Sequence, residues 1–171
     1  MSIKLFSKRC VPEPVEIYTQ LRNAILNLDP EQFGLSSHNG TPQVWGMLME
    51  MGLPEAAVTL VVVAEGTTSL YFGNGGGILG GGTHPSVAEA SRACLAQALV
   101  DLPAFQPAQD FPLPEVKQVN FILLTFEGAF SAGVPIAVVD GGLHPLARLW
   151  ACGQEMITQL RLMQEAAQGD V

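Results

Sequence analysis

The sequence predicts an α+β domain in which an antiparallel sheet is built from two β-hairpin–helix units, with an N-terminal helical segment before them and the helices packed on the sheet. Two apolar runs, the first of them rich in β-branched residues, each reach a Glu-Gly pair and then a second extended run. Each hairpin leads into a Gly-Gly-x-His-Pro motif and a long helical pattern. A doubly wound sheet needs single strands that alternate with helices, so it fits this order less well.

The composition predicts a single-domain protein that associates with itself and does not bind nucleic acid. A chain of 171 residues is long enough for one core, so we predict a single domain over residues 1–171. Hydrophobic residues make up 48% and charged residues 14%, against a typical charged share of about 25%. Much of the surface must therefore be neutral or apolar, which favours self-association. The net charge of −8 comes with no basic stripe, so nucleic acid is not an expected partner.

The lack of a recognisable targeting segment and of paired cysteines predicts a cytoplasmic protein. No apolar run reaches the roughly 18 residues of a membrane span, and no signal-peptide core follows the basic residues near the start. We therefore expect no membrane contact. Cys10, Cys94 and Cys152 are odd in number and form no Cys-x-x-Cys pair, so neither a disulfide framework nor a zinc site is indicated. We expect no metal and no cofactor.

Residues 1–54 form the predicted N-terminal helical segment. An amphipathic helix is expected over residues 13–28, on the spacing of Ile17, Leu21, Ala24 and Leu28. The polar, turn-rich residues 29–40 predict an ordered loop. A Thr-Pro pair then suits the N-cap and first position of a second, short helix over residues 41–52.

The first β-hairpin–helix unit spans residues 55–102. An apolar, β-branched run at residues 58–63 predicts a strand, a Glu-Gly pair at 65–66 turns the chain, and residues 69–72 return as the partner strand. Glycines then dominate residues 73–82. A helix is expected from the first His-Pro pair to the end of the unit.

A proline-rich connector at residues 103–114 joins this unit to the second one, at residues 115–171. The second strand run is expected at residues 119–124, and after another Glu-Gly turn the chain returns through residues 134–139. The second Gly-Gly-x-His-Pro motif starts a long helix with the apolar period of a core-facing helix. The two units share one order of elements with a two-residue difference in length, which indicates an internal repeat.

This order of helix, hairpin, helix, strands and helix over residues 56–165 resembles the roadblock family and the related longin scaffold, which is similar to profilin in layout. The resemblance lies in the order of elements and not in signature residues. It implies a fifth strand within residues 115–139, and a non-catalytic homodimeric module that binds or regulates a partner such as a small GTPase or a motor. The short helix at 41–52 and the two Gly-Gly-x-His-Pro turns are departures from that layout.

The candidate ligand-binding surface combines the glycine-rich segment 73–82 with the two Gly-Gly-x-His-Pro helix starts. Gly75, Gly77 and Gly80 satisfy a G-x-G-x-x-G pattern ahead of a helix, which is typical of a phosphate cradle. The run follows a hairpin, however, and glycines also serve kinked or bulged strands. The candidate residues are Gly75, Gly76, Gly77, Gly80, Gly81, Gly82, His84, Asp140, Gly141, Gly142 and His144.

His84 and His144 occupy equivalent places in the two units, each just before a proline at a helix start. In a pseudo-symmetric fold the two rings could meet. With Asp140 and two helix N-termini they would then form an anion or metal site with acid–base capacity. The alternative is that each histidine meets a local hydrogen-bond need at its own helix.

The residues support two hypotheses about function. No catalytic constellation stands out, since Ser86 and Ser131 lack a G-x-S-x-G setting. The first hypothesis is a non-catalytic regulatory or protein-interaction domain that pairs with itself, and with a further protein partner. The second is a small-ligand-binding protein or enzyme that takes an anion or nucleotide at segment 73–82, His84 and His144.

Overall fold

The computed structural model describes residues 8–169, and over this range it confirms the α+β class. The helices are α1 (Glu16–Leu26), α2 (Pro85–Asp101), α3 (Ile136–Asp140) and α4 (Ala147–Gly169). The strands are β1 (Val44–Gly52), β2 (Ala57–Val63), β3 (Thr68–Phe72), β4 (Gly77–Ile78), β5 (Gln106–Pro107), β6 (Gln118–Thr125) and β7 (Gly128–Pro135). None of the described helices combines the length and the apolar character needed to cross a bilayer.

The strands form one open sheet in the order β4-β3-β2-β1-β6-β7-β5, and every neighbouring pair is antiparallel. The hairpins β2–β3 and β6–β7 lie on either side of β1, with the two Glu-Gly pairs in their turns. Gly66 and Gly128 have φ of 115° and 123°, a conformation that glycine adopts without strain. The outermost strands, β4 and β5, have two residues each, so both edges of the sheet are short.

The predicted short helix over residues 41–52 is wrong, because this stretch contains β1, the central strand. Leu48 of β1 lies opposite Val61 of β2 and Ile122 of β6. All nine residues of β1 are buried, since α1 covers one face of the sheet and α2 and α4 cover the other. A strand buried on both faces shows no polar alternation, and its Leu and Met residues also favour helices.

The predicted return strand through residues 134–139 is only partly correct. β7 starts at Gly128, the glycine of the second Glu-Gly pair, and ends at Pro135, and the short helix α3 follows. Proline has no N–H to donate to a ladder, so it suits the end of a strand. Ile136 and Val139 then pack on the core three positions apart, which is a helical spacing.

The sheet carries a hydrophobic layer on each face. The layer under α2 and α4 contains Met47, Met49, Leu60, Phe121 and Leu123. The layer under α1 contains Leu48, Val61, Val63, Ile122 and Leu124. Along each strand the two sets alternate, which is the period of two expected of a sheet with both faces covered.

α2 and α4 lie antiparallel to each other on their face of the sheet. Gly81, just before α2, lies against Leu160 in the later part of α4. Further along, Cys94 of α2 meets Cys152 of α4. The start of α2 therefore lies beside the later part of α4, and the end of α2 lies beside the start of α4.

Candidate functional site

A β-bulge sets the direction of Trp45 in β1. The pairing of β1 with β6 shifts between Val44 and Gly46, so β1 has one extra residue there, Trp45. Strict alternation would put Trp45 on the α2–α4 face with Met47, but the extra residue turns it to the α1 face with Leu48. Bulges re-aim side chains in this way and are frequent next to functional sites.

Trp45 lines a pocket of about 550 Å³ between the loop after α1 and the β6–β7 turn, termed here the Trp45 pocket. Its apolar lining includes Leu26, Leu28, Leu35, Trp45, Leu124, Phe126 and Ala129. Its polar lining includes Asp29, Glu31, Ser36, Ser37, His38 and Thr125. A volume of this order is typical of small-molecule sites, and the lining is divided about equally between polar and apolar surface.

The loop over residues 29–40, which forms one wall of the Trp45 pocket, is held by its own polar groups. The Oδ1 atom of Asn39 accepts a hydrogen bond of 2.6 Å from the Thr41 hydroxyl. The carboxylate of Asp29 accepts from the Glu31 N–H at 3.1 Å and caps the turn that follows. A wall that is ordered before binding loses less conformational entropy when a ligand arrives.

The indole N–H of Trp45 is an unmet hydrogen-bond donor. The side chain is 4% exposed, and its Nε1 atom has no acceptor among the described residues. Buried donors are nearly always paired, and an unpaired one costs about 1–3 kcal/mol. The unpaired N–H is therefore a local cost in the packing around Trp45.

A buried ion pair connects α1 to the sheet. Arg22 of α1 donates to both carboxylate oxygens of Glu50, from Nε at 2.6 Å and from Nη2 at 2.9 Å. Nη2 also donates to the Phe111 carbonyl oxygen at 2.6 Å. The Thr59 hydroxyl bonds to the same carboxylate and to the Tyr18 hydroxyl. This network places the C-terminal end of α1, and the loop that follows it, over the sheet.

Burial changes the pKa values in this network. Burial raises the pKa of the Tyr18 phenol to about 12, against the opposing effect of its hydrogen bond to Thr59. For Arg22, burial by itself lowers the pKa, but the hydrogen bonds and the charge of Glu50 raise it above its usual value. Both shifts keep Tyr18 neutral and Arg22 charged at physiological pH, the states in which the hydrogen bonds of this network form.

The structure places the glycine-rich segment at the β4 edge of the sheet. Gly75 and Gly76 turn the chain between β3 and β4 with φ of 104° and 82°, and Gly77 pairs with Tyr71. Part of the segment lines a groove of about 300 Å³, termed here the α1–β4 groove. Its lining is Ile17, Tyr18, Leu21, Tyr71, Phe72, Gly76, Gly77 and Leu79. These mostly apolar walls suit a hydrophobic surface better than a phosphate.

The rest of the glycine run lies where the chain passes close to its neighbours. Gly80 has φ of 72°, in the left-handed region. An added Cβ on Gly81 would overlap the Leu160 side chain, and one on Gly82 would overlap the Gly66 carbonyl oxygen. These three glycines therefore have a structural role in the approach to α2.

The two histidines lie far apart. His84 precedes α2, with its Nδ1 atom 2.9 Å from the Ser86 hydroxyl, and His144 precedes α4, where its Nδ1 accepts from the Leu146 N–H at 3.1 Å. Because α2 and α4 are antiparallel, these helix starts lie at opposite ends of the pair. The 17 residues of α2, at about 1.5 Å each, separate them by roughly 25 Å. The structure does not bring the histidines together, and each meets a local hydrogen-bond need.

The remaining sequence candidates lie at the His144 end of this helix pair. Asp140 ends α3, and its carboxylate accepts a hydrogen bond of 2.9 Å from the indole N–H of Trp150. Gly141 follows α3, and Gly142, with φ of 85°, leads the chain towards α4. The candidate residues therefore divide into two groups, the glycine run with His84 and the Asp140 group with His144.

The titratable side chains of residues 8–169 form no metal-binding cluster. No three or more His, Cys, Asp or Glu side chains in this range are arranged to hold a metal ion. Burial raises the pKa of the Cys94 thiol and that of the Cys152 thiol. A raised pKa disfavours the thiolate, which is the reactive form of cysteine.

Sequence reasoning missed the Trp45 pocket. On the sequence alone Trp45 belongs to an apolar helix face, and His38 is a loop residue with no partner. The one local signal was Gly46 directly after Trp45, since a glycine inside a strand often marks a bulge. That signal has meaning only if residues 41–52 are assigned as a strand.

Comparisons with known proteins gave no match: no family model, curated protein or solved structure matches this chain. The resemblance to the roadblock scaffold therefore stays a prediction.

Proposed function

We propose that this protein is a non-catalytic regulatory domain that binds a small organic ligand in the Trp45 pocket. The observation that carries the proposal is the bulge at Trp45, which turns a large aromatic side chain to the α1 face, where it lines an open pocket with both polar and apolar walls. The ordered loop over residues 29–40 supports it, because it forms a wall that needs little rearrangement. Binding of this kind requires no metal or cofactor.

Trp45 supplies the readout that tests this proposal. The chain has two tryptophans, so Trp150→Phe leaves Trp45 as its only indole fluorophore. The probe is 2-phenylethanol, which has an apolar ring and an acceptor oxygen. We expect it to change the emission of Trp45 with a Kd on the order of 1 mM, as for other ligands with about ten non-hydrogen atoms.

Filling the pocket should remove that signal. Ala129→Leu adds a larger side chain to the pocket wall, whereas Ala93→Leu makes the same change at an exposed position on α2. In the Trp150→Phe background we expect Ala129→Leu to raise the Kd at least about tenfold and Ala93→Leu to leave it unchanged. Equal binding by the two variants would contradict the proposal, and so would the absence of any binding before the change.

We also propose that the protein self-associates through the α1–β4 groove, with a second copy of this chain as the partner. Ile17 and Leu79 line the groove and are 54% and 61% exposed. Contiguous apolar surface of this kind marks interaction sites on soluble proteins, and the low share of charged residues supports the same conclusion. The resemblance to roadblock proteins implies a homodimer too. A further protein partner, predicted from the sequence, stays a separate proposal.

Leu79→Lys should separate the proposed dimer into monomers. The change would place an unpaired ammonium group in an apolar interface, which is unfavourable. We expect sedimentation velocity to show a dimer for the wild type and a dissociation constant at least about tenfold higher for Leu79→Lys. Leu143→Lys is the matched control, because Leu143 is 98% exposed and outside the groove. A monomeric wild type, or equal dissociation in both variants, would contradict self-association at the groove.

Three further features predicted from the sequence remain proposals with less support. The units β2–β3–α2 and β6–β7–α4 share Glu-Gly turns and place antiparallel helices on one face, which supports an internal repeat. A cytoplasmic location rests on the sequence alone. An anion or nucleotide site built from segment 73–82, His84 and His144 is less favoured, because the two helix starts lie at opposite ends of the α2–α4 pair.

A further inference from the structure

We infer that Cys94 and Cys152 form a redox-sensitive thiol pair, which a peroxide converts to a disulfide that cross-links α2 to α4. The pair is a site of reversible covalent modification. This inference goes beyond the proposed function and does not depend on it, since neither cysteine is among the residues that line the Trp45 pocket or the α1–β4 groove.

The fold brings the two thiols together from distant parts of the chain. Cys94 lies in α2 and Cys152 in α4, and these helices pack against each other on one face of the sheet. The thiols are neighbours, and the hydrogen bond between them contributes to the pKa of each. A disulfide forms without backbone movement only where two cysteine side chains already approach each other, and this pair meets that condition.

The two cysteines differ in exposure and in the effect of their hydrogen bond. Cys94 is 0% exposed, whereas Cys152 is partly exposed and can be reached from solvent. Burial raises the pKa of Cys152, the hydrogen bond with Cys94 lowers it, and the Asp101 carboxylate raises it. For Cys94, burial, the charge of Cys152 and the hydrogen bond all raise the pKa. Cys152 is therefore the thiol that attacks an oxidant, and Cys94 is the thiol that resolves the product.

The reaction takes two steps and consumes one peroxide. The Cys152 thiolate attacks one oxygen of hydrogen peroxide, the O–O bond breaks, and hydroxide leaves and takes up the proton that Cys152 lost, so Cys152 becomes a sulfenic acid. The Cys94 sulfur then attacks the Cys152 sulfur, the S–O bond breaks, and the hydroxyl leaves with the Cys94 proton as water. Two thiols are thereby oxidised to one disulfide, and one peroxide is reduced to two waters.

The raised pKa values make this pair slow to oxidise. Little thiolate is present at neutral pH, so the pair responds to sustained oxidation and stays reduced otherwise. In a reducing compartment, disulfides are transient because glutathione and thioredoxin return them to thiols. While it lasts, the cross-link closes a loop over residues 94–152 and restricts the unfolded chain, so the oxidised protein is more stable than the reduced protein.

The test uses the Cys10→Ser protein, which lacks the exposed third thiol. We expect hydrogen peroxide, at about pH 8 where more thiolate is present, to link two tryptic peptides of the folded protein. These are residues 93–117 and 149–161, which carry Cys94 and Cys152. The oxidised sample should melt about 5–10 °C higher than the same sample after dithiothreitol, which removes the cross-link and leaves oxidised methionine unchanged.

Two single variants in the same background test the roles of the cysteines. Alanine replaces each thiol with another small side chain that suits a buried helix position. In Cys94→Ala the sulfenic acid of Cys152 has no thiol to resolve it, so dimedone should trap it. In Cys152→Ala the remaining thiol is buried, and we expect dimedone to label it at least about tenfold more slowly.

Three outcomes would overturn the inference. The first is a folded protein in which peroxide links no peptides, or links them only after unfolding in urea. The second is a cross-linked protein that melts no higher than the reduced one. The third is equal labelling of Cys94 and Cys152 by dimedone in the two variants. None of these outcomes affects the Trp45 pocket, so the proposed function stands or fails on its own test.

Discussion

Arg22→Met is expected to lower the free energy of unfolding by about 3–5 kcal/mol. The side chain of Glu50 is fully buried, and Arg22 is its cationic partner, with two hydrogen bonds to its carboxylate. Without Arg22 a charged or protonated carboxyl group stays in the layer under α1 with only the Thr59 hydroxyl as a partner. The loss is a large fraction of the roughly 5–15 kcal/mol that stabilises a typical domain. Urea unfolding followed by circular dichroism measures it.

A second variant keeps this prediction testable if Arg22→Met does not fold. Arg22→Met/Glu50→Met removes both charges and fills the space with apolar atoms, so it should be more stable than the single variant. Lys8→Met breaks the exposed Lys8–Glu115 pair and should change stability by less than about 0.5 kcal/mol. Two outcomes would contradict the conclusion that the buried ion pair holds α1 on the sheet. One is a double variant less stable than Arg22→Met, and the other is an Arg22→Met protein within about 1 kcal/mol of the wild-type stability.

Gly82→Ala should have the next largest effect, a loss of about 3 kcal/mol, at the upper end for overpacking. An added Cβ would overlap the Gly66 carbonyl oxygen, which is backbone in the β2–β3 turn and cannot rotate away as a side chain can. The chain before α2 would have to move off the sheet edge. Thermal and urea unfolding measure the change.

Gly80→Ala is the matched control two residues earlier. A Cβ there meets nothing within 4 Å, so only the left-handed φ of 72° opposes the change, at about 1–2 kcal/mol. Gly82→Ala should therefore be clearly less stable than Gly80→Ala. If Gly82→Ala left stability unchanged, the close packing of this segment would be wrong, and a ligand role for the glycine run would regain support.

Local patterns in the sequence were sufficient to predict the hairpins and the long helices. The apolar runs and Glu-Gly turns define β2–β3 and the start of β6–β7, and the 3.6-residue apolar period defines α1, α2 and α4. These patterns are set by neighbours within a few residues, so they can be read without the rest of the fold. β1 could not be read in this way, because its two buried faces remove the polar alternation of a strand.

The candidate site depended on contacts between distant parts of the chain. Trp45 faces the pocket because β1 and β6, which are far apart in the sequence, pair with one extra residue in β1. Of the two alternatives for the equivalent histidines, a shared site and separate local hydrogen bonds, the structure favours the second, because α2 and α4 pack antiparallel. The helix direction has no local sequence signature, and the bulge has only Gly46, which is informative once residues 41–52 are known to form a strand.

The sequence by itself determined the α+β class, the two hairpins and the apolar faces of the long helices, since these follow from residue periodicity and turn chemistry. Only the tertiary structure decided which strand is central, which face Trp45 occupies, and how far apart the glycine run and His144 lie. The physical reason is that strand register and helix direction are set by long-range pairing and packing, and a one-residue shift in register moves a side chain to the opposite face of the sheet.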